Sequence, residues 1–535
     1  MMKNKPYPLN KVPQINNLKE FALYCAGTYK DRIAFQFEQD GDILKVSFQE
    51  FLDDINALGT ALYNFGLQGA KIALVGENSY QWILSYFTIV NGGNVVVPLD
   101  METTEDDLVA LLINTEISCV ICSEKCFDKI QKIKSTFNFQ YLYVFEKDIS
   151  NLVLQGKELV EQGERTFINY IVQDDVCSAI LYTSGTTSKP KGVMLSHKNI
   201  ATDAVVSIRN VFFAGTSILV LPLYHTFSFT ASVLCVMLSG RTISINKNLK
   251  ELKSDFEKYL PQNLVLVPMI VESLYKQIWI QAKKKNKEKT LRKLIAISNA
   301  LLKIKIDLRQ ILFSSVRKSF GGELEFIISG GAPLQDKYVK GLRELGIQVL
   351  NGYGITECSP VLAVNRNHYF RDHSVGQVLD GIEIKTADEE ILVKGDVVTA
   401  GYYKNDRATI EAFQEGWFKT GDLGHIDDDG FLYITGRKKN LIILSNGKNI
   451  SPEEIEEHLY KLDYVKETVV FQNGDQIEAE IYFGDENAEL YHQKIEEDLE
   501  LINGTLPPYK NISKIIVRET EFPKTSTKKI RRTSI

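Results

Sequence analysis

Residues 71–98 read KIALVGENSYQWILSYFTIVNGGNVVVP and have the pattern of a strand, a helix and a second strand. Lys71–Val75 and Val95–Pro98 are short apolar runs, which predict buried strands. Between them, Asn78 or Ser79 can cap the start of a helix, and a pair of glycines can end it. Such a unit predicts parallel strands joined by a right-handed crossover.

The same alternation returns further along the chain. Leu324–Ile328 predicts a strand, Gln335–Leu345 a helix and Ile347–Leu350 the next strand. Ligands of parallel α/β sheets bind at the carboxyl ends of the strands. Those ends are predicted at Ser329–Pro333, which reads SGGAP, and at Asn351–Gly354, which reads NGYG. The glycines on either side of Tyr353 favour an exposed loop there.

Composition limits the class of protein. The chain has 535 residues, of which 44% are hydrophobic and 24% are charged, and its net charge is -6. These values are ordinary for a folded globular protein and exclude a disordered chain. The negative charge argues against bulk attraction to nucleic acid. Seven cysteines in so long a chain fit a reducing compartment, so we expect a cytoplasmic protein.

Two stretches need a choice between interpretations. Cys119, Cys122 and Cys126 are close in sequence, but no fourth ligand lies nearby, so buried strand and helix positions are favoured over zinc. Gly215–Gly240 lacks Asp, Glu, Lys and Arg and is long enough for a membrane span of about 20 residues. A proline and His225 interrupt it, which favours a buried strand, a loop and a buried helix. The N-terminus lacks the apolar run of a signal peptide.

The segment Lys283–Arg309 is strongly basic. A solvated helix face is the favoured interpretation, and a dock for anionic lipid or an anionic substrate is the alternative. The basic residues are Lys283, Lys284, Lys285, Lys287, Lys289, Arg292, Lys293, Lys303 and Lys305.

The pattern changes after about residue 375. Short alternating strands such as Ile391–Lys394 and Phe431–Ile434 are separated by Gly and Asp turns. Ser451–Glu454 then reads SPEE, which predicts an N-cap, a proline at the first helical position and a capping box. We therefore predict an α/β protein with a large multilayered domain over residues 1–438. It contains mostly parallel sheets and a small β-subdomain, and a small hinged α+β domain follows over residues 439–535.

A run rich in glycine and hydroxyl side chains follows the predicted strand Ala179–Tyr182. Residues 182–192 read YTSGTTSKPKG. Glycine allows the backbone to approach an anion, and hydroxyl and N–H groups donate to phosphate oxygens. The run is not a Walker A loop, because Pro190–Gly192 stands where Gly-Lys-Ser/Thr is required.

This run resembles the phosphate loop of the adenylate-forming (AMP-binding) superfamily. That superfamily includes acyl-CoA synthetases, aryl-CoA ligases, firefly luciferase and peptide-synthetase adenylation domains. Further matches follow in order over most of the chain: SGGAP at 329–333, NGYGITE at 351–357, KTGD at 419–422, GRKKN at 436–440 and FPKTSTKKIRR at 522–532.

The resemblance implies the nucleotide site. Tyr353 would stack on adenine, Thr356 would donate to phosphate, Glu357 would hold Mg²⁺, Asp422 would bind the ribose and Arg437 would reach ribose or phosphate. The remaining ATP-binding residues implied are Thr183, Ser184, Gly185, Thr186, Thr187, Lys191, Gly330, Gly331, Ala332 and Gly354.

The resemblance also implies a two-step reaction. A carboxylate attacks the α-phosphate of ATP, so catalysis must neutralise and orient two anions, and Lys529 would contact both. The small domain would then swing about Lys439 and present Gly447 to the pantetheine arm of coenzyme A. The catalytic residues implied are Lys529, Thr356 and Glu357, and the cofactors and co-substrates are ATP, Mg²⁺ and coenzyme A.

The substrate is expected to be an acid with an uncharged tail. Residues 221–229, LPLYHTFSF, resemble the acyl-CoA synthetase form of their motif, and the surrounding stretch has no acid to pair an amino group. His225, Phe227 and Phe229 are predicted to line the tail pocket. Residues 311–333, GYYKN at 401–405 and NGKNISP at 446–452 resemble long-chain fatty acid–CoA ligases. The alternatives are an acyl carrier protein ligase, an aryl-acid ligase, a luciferase-like monooxygenase and a nonenzymatic binding protein.

Overall fold

The structure is a computed structural model that describes residues 8–183, 190–444, 448–474, 476–484, 488–524, 530 and 532. The chain divides into two compact units. The first comprises residues 1–183, 190–383 and 394–413, and the second comprises residues 184–189, 384–393 and 414–535.

The strands are β1 Ile33–Gln39, β2 Asp42–Ser47, β3 Lys71–Val75, β4 Val95–Leu99, β5 Cys119–Cys122, β6 Tyr141–Val144, β7 Cys177–Thr183, β8 Lys191–Ser196, β9 Thr216–Leu219, β10 Thr242–Ile245, β11 Asn263–Leu266, β12 Phe326–Ser329, β13 Gln348–Gly354, β14 Val361–Val364, β15 Gln377–Val378, β16 Glu383–Ala387, β17 Glu390–Lys394, β18 Gly401–Tyr402, β19 Phe413–Gln414, β20 Trp417–Ile426, β21 Leu432–Arg437, β22 Ile442–Ile443, β23 Asn449–Ile450, β24 Glu467–Asn473, β25 Gln476–Tyr482 and β26 Ile512–Arg518. The α-helices are α1 Leu18–Tyr29, α2 Phe48–Asn64, α3 Tyr80–Asn91, α4 Glu105–Thr115, α5 Glu124–Thr136, α6 Ser150–Glu161, α7 Thr166–Asn169, α8 His197–Asn210, α9 Cys235–Leu238, α10 Leu252–Tyr259, α11 Pro268–Lys284, α12 Glu288–Lys303, α13 Arg309–Leu312, α14 Ser314–Lys318, α15 Asp336–Glu344, α16 Asp406–Ala412, α17 Pro452–Tyr460 and α18 Ala488–Thr505.

Two mixed sheets form the framework of the first unit. One has the order β18-β8-β7-β4-β3-β5-β6, and the other has the order β15-β14-β13-β12-β11-β9-β10-β1-β2. The inner pairs of both sheets are parallel, and the antiparallel strands lie at the ends, for example β2, β8 and β14. The predicted α/β class with mostly parallel sheets is confirmed.

The first strand–helix–strand unit forms as predicted, and the structure decides between its two candidate caps. Ser79 Oγ accepts a hydrogen bond from Trp82 N over 3.1 Å, so Ser79 caps α3. Asn78 instead donates to Leu221 O and accepts from Leu223 N, at 2.9 and 3.0 Å. Asn78 thereby anchors the loop that precedes His225.

The second unit departs from prediction at its last strand. We predicted that the strand ends at Leu350 and that Tyr353 lies in an exposed loop. That prediction is wrong: β13 continues to Gly354, and Tyr353 is half-buried within it. The reason is a long-range partner, because β14 pairs antiparallel with this extension, with Tyr353 opposite Ala363.

The uncharged stretch 215–240 is a buried strand, a loop and a buried helix, as predicted. The helix begins with a π-helical turn over Ser228–Leu234, which sequence periodicity did not indicate. Among the helices of the described residues, none is long and apolar enough to cross a bilayer. Cys119, Cys122 and Cys126 are buried, and the described residues contain no cluster of metal-ligating side chains.

Among its described residues, the second unit holds three further sheets and a separate hydrophobic core. Strands β16, β17, β20 and β19 form one sheet, with β21 paired to β20, β22 and β23 form a two-stranded sheet, and β24, β25 and β26 form the third. The core of the C-terminal part includes Ile455, Leu459 and Ile495. The predicted domain boundary between residues 438 and 439 stays a prediction.

The start of α17 differs from its prediction in one respect. Ser451 is the N-cap and a proline follows, but the predicted capping box is wrong. The Ser451 hydroxyl instead lies 2.9 Å from both Thr435 O and Glu453 Oε2. A capping box would need Glu454, the third helical residue, but its carboxylate accepts from Lys510 Nζ over 2.6 Å instead.

Candidate functional site

The carboxyl ends of β12 and β13 border a cavity in the first unit. The space between its lining atoms is about 560 Å³, including open solvent at the mouth, and Gly330, Gly331, Tyr353 and Gly354 line it. Because β12 and β13 are parallel neighbours, Ser329 and Asn351 are in register, and the two motifs that follow them emerge side by side. Ala332, next to these glycines, is exposed.

Two of these glycines are required by the geometry. Gly331 has a φ of +86°, a conformation that side chains with a Cβ rarely adopt. A Cβ on Gly354 would lie 1.9 Å from Pro360 O, which no side chain could tolerate. The backbone at this edge is therefore open to a ligand on one side and packed tightly against β14 on the other.

The interior of the cavity is apolar. Among the described residues that line it, none is charged. Ser207 and Val211 on and after α8, Ala231 and Cys235 on the buried helix, and Val361 on β14 contribute to the wall, together with Phe213, Phe227, Ile328, Pro360 and Val364. This lining suits an uncharged hydrocarbon group.

The three residues predicted to line the tail pocket have different surroundings. Phe227 lines the cavity. Phe229 packs in the core, with its ring centroid 3.9 Å from that of Tyr86, and it does not appear in the cavity wall. His225 is half-buried and packs against Tyr224, with the ring centroids 4.2 Å apart.

Thr356 and Glu357 lie in a short helical turn just after β13, and neighbouring segments of the chain hold both. Thr226 Oγ1 donates to Thr356 Oγ1 over 3.3 Å. Tyr402 on β18 donates its hydroxyl to Glu357 Oε1 over 2.9 Å, and Thr399 N donates to Glu357 O over 2.8 Å. Hydrogen bonds thus fix the positions of Thr356, predicted to bind phosphate, and Glu357, predicted to bind Mg²⁺.

Tyr402 also contacts a third predicted residue. The Lys191 ammonium lies 4.8 Å from the centroid of the Tyr402 ring. Burial and then the Glu357 carboxylate raise the pKa of Tyr402, which keeps its hydroxyl protonated as a donor. One tyrosine therefore contacts both Glu357, the predicted Mg²⁺ residue, and the cation Lys191.

The predicted phosphate loop is bounded by paired strands. Thr183 at the end of β7 pairs with Lys191 at the start of β8. Between them, Ser184, Gly185, Thr186 and Thr187 lie outside the described residues, as do Gly447 and Lys529.

The second unit brings Asp422 and Arg437 together. They are opposite each other in the β20–β21 pair, and Arg437 Nε lies 2.9 Å from Asp422 Oδ1. The Asp422 side chain is only 4% exposed, so the guanidinium compensates a buried charge. Partial desolvation and the nearby Arg437 charge lower the pKa of Lys439.

The donor set fits the expected ligands. Magnesium in nucleotide enzymes is held by one or two carboxylates together with substrate phosphates, and Glu357 supplies one such carboxylate beside the Thr356 hydroxyl. Open glycine backbone at Gly331 and the flat side of Tyr353 suit a nucleotide.

Sequence reasoning missed Tyr402, Thr226 and the contribution of α8 to the cavity. Tyr402 stood within the quoted GYYKN run, yet no local signal indicates that it contacts Glu357. The hydroxyl of Ser207 and the side chain of Val211, four residues apart, do follow a helical spacing that could have indicated a shared face.

Comparisons with known proteins agree with this geometry. The sequence model of the AMP-binding enzyme matches residues 24–403, and that of the AMP-binding enzyme C-terminal domain matches residues 439–535. Long-chain-fatty-acid–CoA ligase FadD15 of Mycobacterium bovis is 28% identical over 82% of this chain and 77% of its own length. The 2-succinylbenzoate–CoA ligase of Listeria monocytogenes is 28% identical over 91% of this chain and 93% of its own length.

A solved structure has the same fold. The anthranilate CoA ligase AuaEII in complex with anthranoyl-AMP superposes with a TM-score of 0.78, at 18% identity, over 98% of this chain and 97% of the other. The predicted enzyme class, an adenylate-forming acid–thiol ligase, is confirmed. Since the first family model alone covers more than half of the sequence, the chain belongs to the AMP-binding enzyme family.

Proposed function

We propose that this enzyme activates a medium- or long-chain fatty acid. ATP and the acid form an acyl-adenylate and pyrophosphate, and the acyl group then passes to the thiol of coenzyme A with release of AMP. The proposal extends the family assignment to one class of acid and one acceptor.

The observation that carries the proposal is the apolar cavity beside the glycine backbone of Gly330–Gly331 and Gly354. A carboxylate at the mouth would lie near the nucleotide residues, while its tail would enter a wall without charged side chains among the described residues. A charged or amino-bearing tail would lose its hydration there without gaining a hydrogen-bond or ion-pair partner. That loss costs on the order of several kcal/mol. An alkyl tail gains about 0.8 kcal/mol per buried methylene.

The first step joins two anions, so the protein must neutralise charge and orient the reactants. Lys191 and Thr356 would contact phosphate oxygens, and Lys529 would contact both the carboxylate and the α-phosphate. When bound, Mg²⁺ would neutralise phosphate charge beside Glu357.

The second step requires access for a thiol. We propose that the C-terminal part turns about Lys439, which withdraws Lys529 and presents Gly447 to the pantetheine arm. The domain boundary at residues 438 and 439, the roles of these three residues and a cytoplasmic location all stay predictions.

One acid panel tests the proposal. Pyrophosphate release would be measured in ATP and Mg²⁺ with acetate, octanoate, palmitate, benzoate, anthranilate, 2-succinylbenzoate and leucine, first alone and then with coenzyme A or acyl carrier protein. We expect the highest kcat/KM with octanoate or palmitate and thioester only with coenzyme A. Preference for an aromatic acid would contradict the proposed substrate, and acylation of the carrier protein alone would contradict the proposed acceptor.

A further inference from the structure

Residues 273–306 carry an unusual excess of positive charge for an acidic protein. This stretch has a single acidic residue, Glu288, although the whole chain has a net charge of -6. Its cations are Lys276, Lys283, Lys284, Lys285, Lys287, Lys289, Arg292, Lys293, Lys303 and Lys305. Among the described residues, only Lys276 and Arg292 of this set form ion pairs, with Glu272 and Glu288. The ammonium groups of the other lysines are therefore solvated and not paired with carboxylates.

The structure exposes this charge on α11, α12 and the turn between them. Every lysine from Lys283 to Lys305 is exposed, which both interpretations of the sequence require. On α12, Lys289, Lys293, Ile297 and Ala300 follow one another at intervals of three or four residues and form one solvent-facing stripe.

Isoleucines are exposed among these lysines. Ile297 and Ile304 are 52% and 65% exposed, and Ile311 is 72% exposed. Ile280 and Ile306 are also exposed. The core-facing side of α12 is separate and is made by Leu291, Leu294, Ile295 and Ser298. The exposed isoleucines are therefore not part of the core, and each leaves apolar surface in water beside the exposed lysines.

We propose that residues 273–311, the basic-isoleucine surface, dock the enzyme on an anionic lipid bilayer. Lysines at a membrane surface are attracted to anionic headgroups, and aliphatic side chains beside them enter the boundary with the acyl chains. Nucleic acid would satisfy the lysines but leave the isoleucines in water. A bilayer accepts apolar side chains spread along two helices without a matching pocket, which an acidic protein partner would need. The purpose of docking, access to a membrane-dissolved acid, rests on the proposed function, whereas the binding itself does not.

Vesicle sedimentation tests the proposal. The full chain would be mixed with phosphatidylcholine vesicles and with vesicles containing 30% phosphatidylglycerol, a fraction chosen at roughly the anionic content that gives a clear surface potential. We expect sedimentation with the anionic vesicles and release by high salt. Combined replacement of Lys283, Lys284, Lys285 and Lys287 by Gln should lower the partition coefficient at least about 100-fold. The pair Ile297→Ser and Ile304→Ser should lower it about tenfold.

Matched control variants remove the same numbers of exposed lysines and isoleucines outside the basic-isoleucine surface. Replacement of the exposed lysines Lys45, Lys247, Lys250 and Lys253 by Gln, and the pair Ile171→Ser and Ile410→Ser, should leave sedimentation unchanged. The proposal is overturned if the wild-type chain stays in the supernatant or if control and test variants lose binding equally. Binding to an acidic acyl carrier protein but not to vesicles also overturns it. Pyrophosphate release with octanoate, measured without vesicles, should be the same in all variants, so failure of the ligase proposal and failure of docking are read separately.

Discussion

Tyr402 donates its hydroxyl to Glu357 Oε1 over 2.9 Å, although the two residues are 45 positions apart in the chain. The contact exists because β18 pairs with β8 and because Thr399 N bonds Glu357 O just before that strand. The main chain and the side chain of Glu357 are thus held by one segment, which fixes where its carboxylate points.

Removal of the Tyr402 hydroxyl should weaken the first half-reaction. In Tyr402→Phe the ring that Lys191 contacts remains, but the donor to the carboxylate is lost. A hydrogen bond to a charged group contributes about 1.5–3 kcal/mol, so kcat/KM for pyrophosphate exchange should fall roughly 10- to 100-fold. More Mg²⁺ should be needed for half-maximal ATP binding measured by calorimetry. Tyr403→Phe, at the neighbouring half-buried tyrosine whose hydroxyl donates to Glu116 rather than to Glu357, is the control and should behave as the wild type. Equal effects of the two substitutions would refute the role of Tyr402.

Lys529→Ala should separate the two half-reactions. The proposed contact of Lys529 with carboxylate and phosphate serves adenylation alone, so adenylation should fall by on the order of 10²–10³-fold. Thioester formation from preformed acyl-adenylate should largely persist. Rapid-quench assays of each step make the comparison, and a parallel loss in both would show that the assigned role is wrong.

Filling the cavity should shorten the accepted acid. Ala231 is buried and lines the cavity wall, so Ala231→Phe would occupy space meant for the tail. We expect kcat/KM for palmitate to fall by at least about tenfold relative to that for butyrate, because overpacking costs about 1–3 kcal/mol. Ala204→Phe, at a buried alanine that is not in the wall, is the control for general overpacking. A uniform loss over all chain lengths would contradict the assignment of the cavity.

Stability should depend on His197 in acid. Burial lowers the pKa of His197 from 6.5 to about 4, and its Nδ1 accepts from Leu18 N, as a neutral ring can. Between these values the unfolded chain binds more protons, so stability rises with pH. The contribution of neutral His197 to the free energy of unfolding is fully present above pH 6.5 and is lost as the pH falls through about 4. The change amounts to about 3 kcal/mol.

Urea unfolding at several pH values tests this prediction. His197→Gln should flatten the pH dependence in that range, whereas the same substitution at exposed His492 should leave it intact. An unchanged slope in His197→Gln would assign the acid sensitivity to other groups.

The sequence predicted those features that depend on local signals. The unit 71–98 could be assigned because its cap, its glycine stop and its apolar runs all lie within the segment. The motifs around Gly331, Glu357 and Asp422 could be assigned because each is contiguous. The pairing of Asp422 with Arg437 was not predicted, although both residues were, because it depends on the register of β20 and β21.

The remaining differences arise from tertiary structure. His225, Phe227 and Phe229 were expected to share a wall, but residues two apart on a helical turn point to different sides. Phe227 therefore lines the cavity while Phe229 joins the rings of Trp82 and Tyr86. Tyr402 could not be connected to Glu357 without knowledge of which strand β18 joins.

β13 extends beyond Leu350 as a paired strand, and this pairing affects how often the backbone at the edge of the cavity opens. Amide protons that bond across the β13–β14 ladder can exchange with heavy water only when the two strands separate. Tyr353 therefore belongs to a strand of the sheet and not to a surface turn, and its backbone moves only when the strand pairing opens. A nucleotide would therefore find Tyr353 already positioned for stacking. The conformational entropy of ordering this residue would be lost on folding and not on binding.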